Sequence, residues 1–210
     1  MQLLADIGNR YAHFNSGNTT IDMNIKELIE LFIDKKLYYI SVNPKTSRSL
    51  RAIPNWINLA DYVNLEGSYP TMGIDRQTLL LSRGDGIYID AGSAITIDMK
   101  KESKFIGGTI IPGIWKQKMS YKEISSALHL DNIVDIDINT LPNNSTYETI
   151  SFGIIAPIVA LIEKINKNHN LPIYCCGGDG ELIAKYINDA IYERDLIFEG
   201  MRKVIKENRC

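Results

Sequence analysis

Short apolar runs alternate with amphipathic stretches along this chain. Leu3-Leu4-Ala5-Asp6 reads as a buried strand that ends on a carboxylate, Gly8-Asn9 as a tight turn, and Tyr11 to Phe14 as a returning strand. From Ile25 to Leu37 the apolar positions Ile25, Leu28, Ile29, Leu31, Phe32 and Leu37 recur near the helical period, which predicts an amphipathic helix. The β-rich run Leu37 to Val42 follows and stops at Asn43-Pro44, and Ser47 to Ala52 begins a helix that breaks before Pro54. Strand, helix and strand in turn are the mark of an α/β architecture.

The second half repeats the opening. Asp75 to Arg83 reads as a helix, and Ile87-Tyr88-Ile89-Asp90-Ala91-Gly92-Ser93 is again an apolar strand, an aspartate, a spacer, a glycine and a small polar residue. Ala94 to Met99 and Phe105 to Ile111 form a strand pair across the charged turn Lys100 to Lys104. Thr149 to Ile165 predicts a long apolar helix and Ile173 to Cys176 a short buried strand. Glu181 to Ile187 predicts a helix entered through Gly177-Gly178-Asp179-Gly180, and Leu196 to Ile205 a last helix. The strand-Asp-x-Gly-hairpin unit is the one internal repeat, its aspartates 84 positions apart.

Composition narrows the classes. With 45% hydrophobic and 23% charged residues the 210-residue chain lies in the globular range. Its formal charge of −2 and lack of a basic run give no electrostatic footing for nucleic acid or a membrane surface. The first residues carry no basic leader followed by an apolar stretch, so the expected address is the cytoplasm. Cys175, Cys176 and Cys210 suit neither a disulfide framework nor a zinc site and read as small thiols, two of them in a strand. His13, His129 and His169 show no ligand spacing, and Trp56 and Trp115 read as residues packed in the fold or in a dimer interface.

Two Asp-x-Gly-(Asn/Ser) loops between buried strands supply what a polyphosphate site needs. Glycine brings backbone amides close to phosphate oxygens, Asn or Ser adds a donor, and Asp can hold a cation or its water shell. The third glycine-rich turn, Gly177 to Gly180, offers backbone for an adenosine moiety. Neither the Walker A pattern nor the dinucleotide fingerprint is matched, so a nucleotide site of different architecture is required. Asp75 can accept a hydroxyl proton, and Arg76 presents a planar fork of donors to an oxyanion.

The ordered set Asp6-Ile7-Gly8-Asn9, Gly73-Ile74-Asp75-Arg76, Asp90 to Thr96, Gly107 to Gly113 and Gly177 to Gly180 resembles type III pantothenate kinase, with Asp195 to Gly200 resembling its closing segment. That resemblance implies a duplicated ribonuclease-H-like fold of the actin-like ATPase type, two mixed-sheet halves flanked by helices over residues 1–85 and 86–210. It implies ATP-dependent phosphorylation of pantothenate, the first step of coenzyme A synthesis, by a homodimer with active sites near the interface. Asp6, Gly8, Asn9, Ser93, Gly177 and Gly178 would contact ATP, carried with magnesium, and Asp90 would bind potassium or ammonium. Tyr69, Gly73, Ile74, Asp75, Arg76 and Thr146 would receive pantothenate, with Asp75 as base. Two positions depart from the pattern: Glu66 stands where the family places a tyrosine, and Ser93 replaces a threonine. Tyr69 is then either the substrate-side aromatic on a shortened loop or a packing tyrosine. The alternatives are a related actin-like phosphotransferase, or a regulatory protein that keeps the fold without catalysis.

Overall fold

The computed structural model describes residues 2–8, 11–17 and 19–209. They form two compact units, one of Met1–Gly84, Lys101–Phe105 and Asp195–Cys210, the other of Asp85–Lys100 and Ile106–Arg194.

The first unit is built on a five-stranded sheet of β1 (Leu3–Ile7), β2 (Ala12–Ser16), β3 (Thr19–Met23), β4 (Leu37–Ser41) and β5 (Trp56–Asn58), in the order β3-β2-β1-β4-β5. The pairs β1–β2 and β2–β3 are antiparallel, β1–β4 and β4–β5 parallel, so the sheet is mixed. Its helices are α1 (Ile25–Phe32), α2 (Pro44–Leu50) and α3 (Ile74–Ser82). Helix α1 starts where the Asn24 side chain accepts from the Glu27 amide at 2.8 Å. It ends at Phe32, short of the sequence reading, because Leu37 is drawn into β4 opposite Leu3. Helix α2 starts earlier than read: Asn43 caps the Lys45 and Thr46 amides, and Pro44 fits the first helical turn. Ala5, Ile7, Phe14, Leu28, Leu37, Tyr39 and Trp56 form one core. Burying each such large side chain is worth roughly 1.5–3 kcal/mol.

The second unit repeats the plan with β6 (Gly86–Ala91), β7 (Ala94–Lys101), β8 (Lys104–Pro112), β9 (Ile173–Cys176) and β10 (Ile191–Tyr192), in the order β10-β9-β6-β7-β8. The β6–β7 pair is antiparallel and β6–β9 and β9–β10 are parallel, so β6 holds the place that β1 holds in the first sheet. The two-residue turn between β7 and β8 puts Glu102 and Ser103 at φ 53° and 64°, the left-handed pair that matches strand twist in a tight hairpin. Helices α4 (Ile114–Ile124), α5 (Thr146–Asn166) and α6 (Gly180–Ala184) complete the unit. The core joins Ile87, Ile89, Ile95 and Ile97 to Ile154, Ile158 and Ile162 of α5. Helix α7 (Leu196–Asn208) returns to the first unit, where Gly200 meets Thr78 of α3 so closely that a Cβ would overlap the Thr78 carbonyl. No helix among the described residues is long and apolar enough to cross a membrane.

Candidate functional site

Strand alternation decides which side of each sheet carries chemistry. In β1, Ala5 and Ile7 join the helix-backed core, which leaves Asp6 on the opposite face. In β6, Ile87, Ile89 and Ala91 do the same and leave Asp90 opposite. Both aspartates are the penultimate residue of the first strand of their sheet. The loop after each is closed similarly: the Gly8 amide donates to the Tyr11 carbonyl at 3.0 Å, and the Gly92 amide to the Ala94 carbonyl at 2.9 Å. Asn9 lies outside the described residues.

In the second unit three loops converge at one end of the sheet. The Gly113 amide, at the start of α4, donates to the Ser93 carbonyl at 3.2 Å. A Cβ at Gly113 would overlap the Gly92 and Ser93 carbonyls, so only glycine lets the loop after Asp90 lie on the helix start. Gly177 adopts φ +83°, and a Cβ there would fall 2.5 Å from the Ala91 carbonyl oxygen and 2.6 Å from Asp90 Oδ1. The Asp179 amide donates to the same Ala91 carbonyl at 2.9 Å. The structure therefore brings Asp90, Ser93, Gly177 and Gly178 into one cluster, with Ser93 and Gly178 exposed. Burial pushes the Asp179 carboxyl above the usual range, and the Lys118 ammonium on α4 pulls it partly back. Thr146 begins α5, exposed beside the cap Ser145. Gly113 stands in the sequence as the end of the Gly107 to Gly113 motif without a site role, and α4 has no sequence signal beyond Pro112-Gly113, since its one buried side chain is Ile114.

Asp90 also has cross-strand neighbours. It lies opposite Thr96 on β7 and Cys176 on β9, forming a row of three on one face. The Thr96 hydroxyl is buried and has no hydrogen-bond partner among the described residues. Cys176 is buried as well, and burial pushes the adjacent Cys175 thiol, on the core side, up to about 12. Neither cysteine is in a disulfide, and Cys210 lies outside the described residues.

In the first unit the motif Gly73 to Arg76 opens α3 with Gly73 as its cap. Asp75 sits in the first turn, where the helix dipole favours negative charge, and its Oδ1 accepts from the Arg76 amide at 2.8 Å. The Arg76 side chain is only 5% exposed. Its Nη1 donates to the Tyr69 hydroxyl at 2.7 Å, and the guanidinium carbon lies 6.0 Å from the Tyr69 ring centroid. Tyr69 thus contacts the motif arginine. Its ring packs at 6.0 Å against Phe105 from the β7–β8 turn. That turn is docked by the Phe105 amide on the Glu66 carbonyl at 2.8 Å and by a Lys104–Glu66 ion pair at 2.5 Å. Phe105 and Lys104 were invisible in the sequence as site residues, because their link to Tyr69 is tertiary. Glu66, out of place as an aromatic, anchors the loop that presents Tyr69.

Among the described residues no group of three or more His, Cys, Asp and Glu is placed to hold a metal ion. Magnesium carried by phosphates needs no such cage, only one or two protein oxygens. The Asp90 carboxylate offers hard oxygen donors of the kind that suit a hard cation, and a Cβ at Gly177 would fill the space beside its Oδ1.

The chain is similar to known proteins over nearly its whole length. The sequence profile of type III pantothenate kinase matches residues 46–168. A type III pantothenate kinase of Campylobacter jejuni is 39% identical over 98% of this chain and 97% of its own. A solved Campylobacter jejuni protein, described as a Baf family transcriptional activator, is 39% identical, covers 99% of this chain and 98% of its own, and superposes with a TM-score of 0.87. MreB 5 of Spiroplasma citri bound to AMPPNP, 11% identical with a TM-score of 0.51 and covering 100% of this chain and 98% of its own, shares the actin-like fold. Two mixed sheets of matching strand order, the motif set on them and relatives of this similarity over nearly the whole length lead to one conclusion: the chain belongs to the type III pantothenate kinase family.

Proposed function

We propose that this protein transfers the γ-phosphoryl group of ATP to the primary hydroxyl of pantothenate, giving 4'-phosphopantothenate and ADP, the first step of coenzyme A synthesis. The observation that carries this reading is the near full-length similarity to proteins named type III pantothenate kinase. It is supported by a carboxylate and a buried guanidinium side by side at the start of α3.

Chemically, the substrate hydroxyl oxygen forms a bond to the γ-phosphorus while the bond from that phosphorus to the β,γ-bridging oxygen breaks. Asp75 takes the hydroxyl proton, assistance worth about 10²- to 10⁴-fold in rate. Arg76, oriented by Tyr69, holds the pantothenate carboxylate, and Gly73, Ile74 and Thr146 complete that side. Asp6, Gly8, Asn9 and Ser93 bind the phosphates with backbone and side-chain donors, and Gly177 and Gly178 border the adenosine. Asp90 holds a monovalent cation, potassium or ammonium, which supplies positive charge against the phosphates alongside nucleotide-borne magnesium.

The working form is a homodimer in the cytoplasm, with active sites near the interface. Exposed apolar side chains on the edge strand β8, Ile106 and Ile110, and Trp115 on α4 support an interface on the second unit. The name of the solved relative raises a second reading, a regulator of transcription. A formal charge of −2 gives direct DNA contact little footing. Asp75→Asn tests the kinase reading: turnover falls at least about 100-fold while nucleotide affinity stays within about twofold. Unchanged turnover in this variant removes Asp75 as the base.

A further inference from the structure

The row Cys176–Asp90–Thr96 crosses three adjacent strands on the sheet face opposite the α5 core. Directly opposed residues of an antiparallel pair hold their Cβ atoms about 4.5–5.5 Å apart, so the Thr96 hydroxyl is within reach of anything seated on the Asp90 carboxylate. Thr96 is 8% exposed, and its oxygen has no hydrogen-bond partner among the described residues. Native proteins seldom leave a buried hydroxyl in that state unless something absent from the bare chain satisfies it. A valine would fill the same volume without the penalty, so the oxygen calls for a function.

We propose that the Thr96 hydroxyl is a second oxygen donor, beside Asp90, to the monovalent cation of this site; the inference rests on the reading of Asp90 as cation ligand. The two flanks of Asp90 differ in chemistry. Cys176 offers a soft thiol, poorly matched to potassium or ammonium, whereas Thr96 offers a hard, neutral oxygen that adds a ligand without adding charge. The β7 backbone fixes the hydroxyl's position, since a one-residue slip would turn Ile95 or Ile97 towards this face and Thr96 into the apolar core.

Thermal unfolding of the full chain tests this, with wild type, Thr96→Val and Thr96→Ser each measured in potassium chloride and in tetramethylammonium chloride of equal ionic strength, AMPPNP and magnesium present throughout. The expected result has three parts. Wild type melts higher in potassium. Thr96→Val melts at or above wild type in tetramethylammonium, because the unsatisfied oxygen is gone, yet loses the potassium-dependent rise, its half-saturating potassium moving up at least about tenfold. Thr96→Ser, which keeps the oxygen, retains the rise; if Thr96→Val does not fold, Thr96→Ala takes its place in the potassium titration. A valine variant with the wild-type potassium response overturns the inference. So does one that loses the same melting temperature in both salts, the mark of a structural hydroxyl. A wild type indifferent to potassium overturns the cation reading of Asp90 itself and the inference with it, an outcome distinct from the other two.

Discussion

Gly177→Ala is the substitution whose consequence the geometry fixes most tightly. The residue sits at φ +83°, where an L side chain costs about 1 kcal/mol or more. The added Cβ would stand 2.5 Å from the Ala91 carbonyl oxygen and 2.6 Å from Asp90 Oδ1, against the 3.0 Å below which real Cβ contacts essentially never fall. Something must move by about half an ångström, and overpacking of this kind typically costs about 1–3 kcal/mol. The Ala91 carbonyl is held by the Asp179 amide at 2.9 Å, so the displacement is shared with the Asp90 carboxylate. The total, about 2–4 kcal/mol, is a large part of a typical stability of about 5–15 kcal/mol. Gly178→Ala is the matched control, since nothing lies within 4 Å of its Cβ and stability should stay within about 0.5 kcal/mol of wild type. Urea unfolding and nucleotide titration of both variants measure this. Gly177→Ala should lose stability and nucleotide affinity together, while Gly178→Ala, folding normally, shows any loss in nucleotide affinity alone. A Gly177→Ala protein as stable as wild type, or two variants equally destabilised, would refute the reasoning.

Other consequences follow from the same geometry. Tyr69→Phe removes a hydroxyl from a buried guanidinium, an interaction worth about 1.5–3 kcal/mol, so the pantothenate KM should rise about tenfold or more with the ATP KM unmoved; steady-state kinetics showing equal changes in both would reject Tyr69 as a substrate-side residue. Burial raises the Asp179 carboxyl above its unfolded value, so its contribution to stability is full below the ordinary carboxylate range and disappears as pH rises through the raised value. Asp179→Asn should therefore be more stable than wild type at neutral pH, with the gap closing in acid, and unfolding curves across that range that show no such convergence would contradict this origin of the shift.

Where local pattern and tertiary demand agreed, the fold could be read from the chain. The buried strands before Asp6 and Asp90, the β7–β8 hairpin and the long apolar α5 all announce themselves by period. The pattern failed where a neighbour decides. Leu37 continues the helical period of α1 but pairs with Leu3 in the sheet. Strand β3 is mostly exposed and so carries no buried alternation, yet it pairs with β2 from Ala12–Met23 to Ser16–Thr19. Helix α4 buries only Ile114 and lacks an apolar stripe. The return of α7 to the first unit depends on Gly200 lying against α3, a contact between residues far apart in sequence. The site shows the same division. Asp75 and Arg76 stood out as a motif, while the Phe105–Tyr69–Arg76 chain and the Thr96 hydroxyl beside Asp90 depend on strand register and a docked turn.

The most direct test of the whole account is the product itself. Purified protein incubated with pantothenate, magnesium, potassium and ATP labelled in the γ-phosphoryl group should move the label onto pantothenate, with one ADP released for each phosphopantothenate seen by mass spectrometry. Label that stays on ATP or appears only as free phosphate, or that passes to another alcohol while pantothenate remains unlabelled, would contradict it.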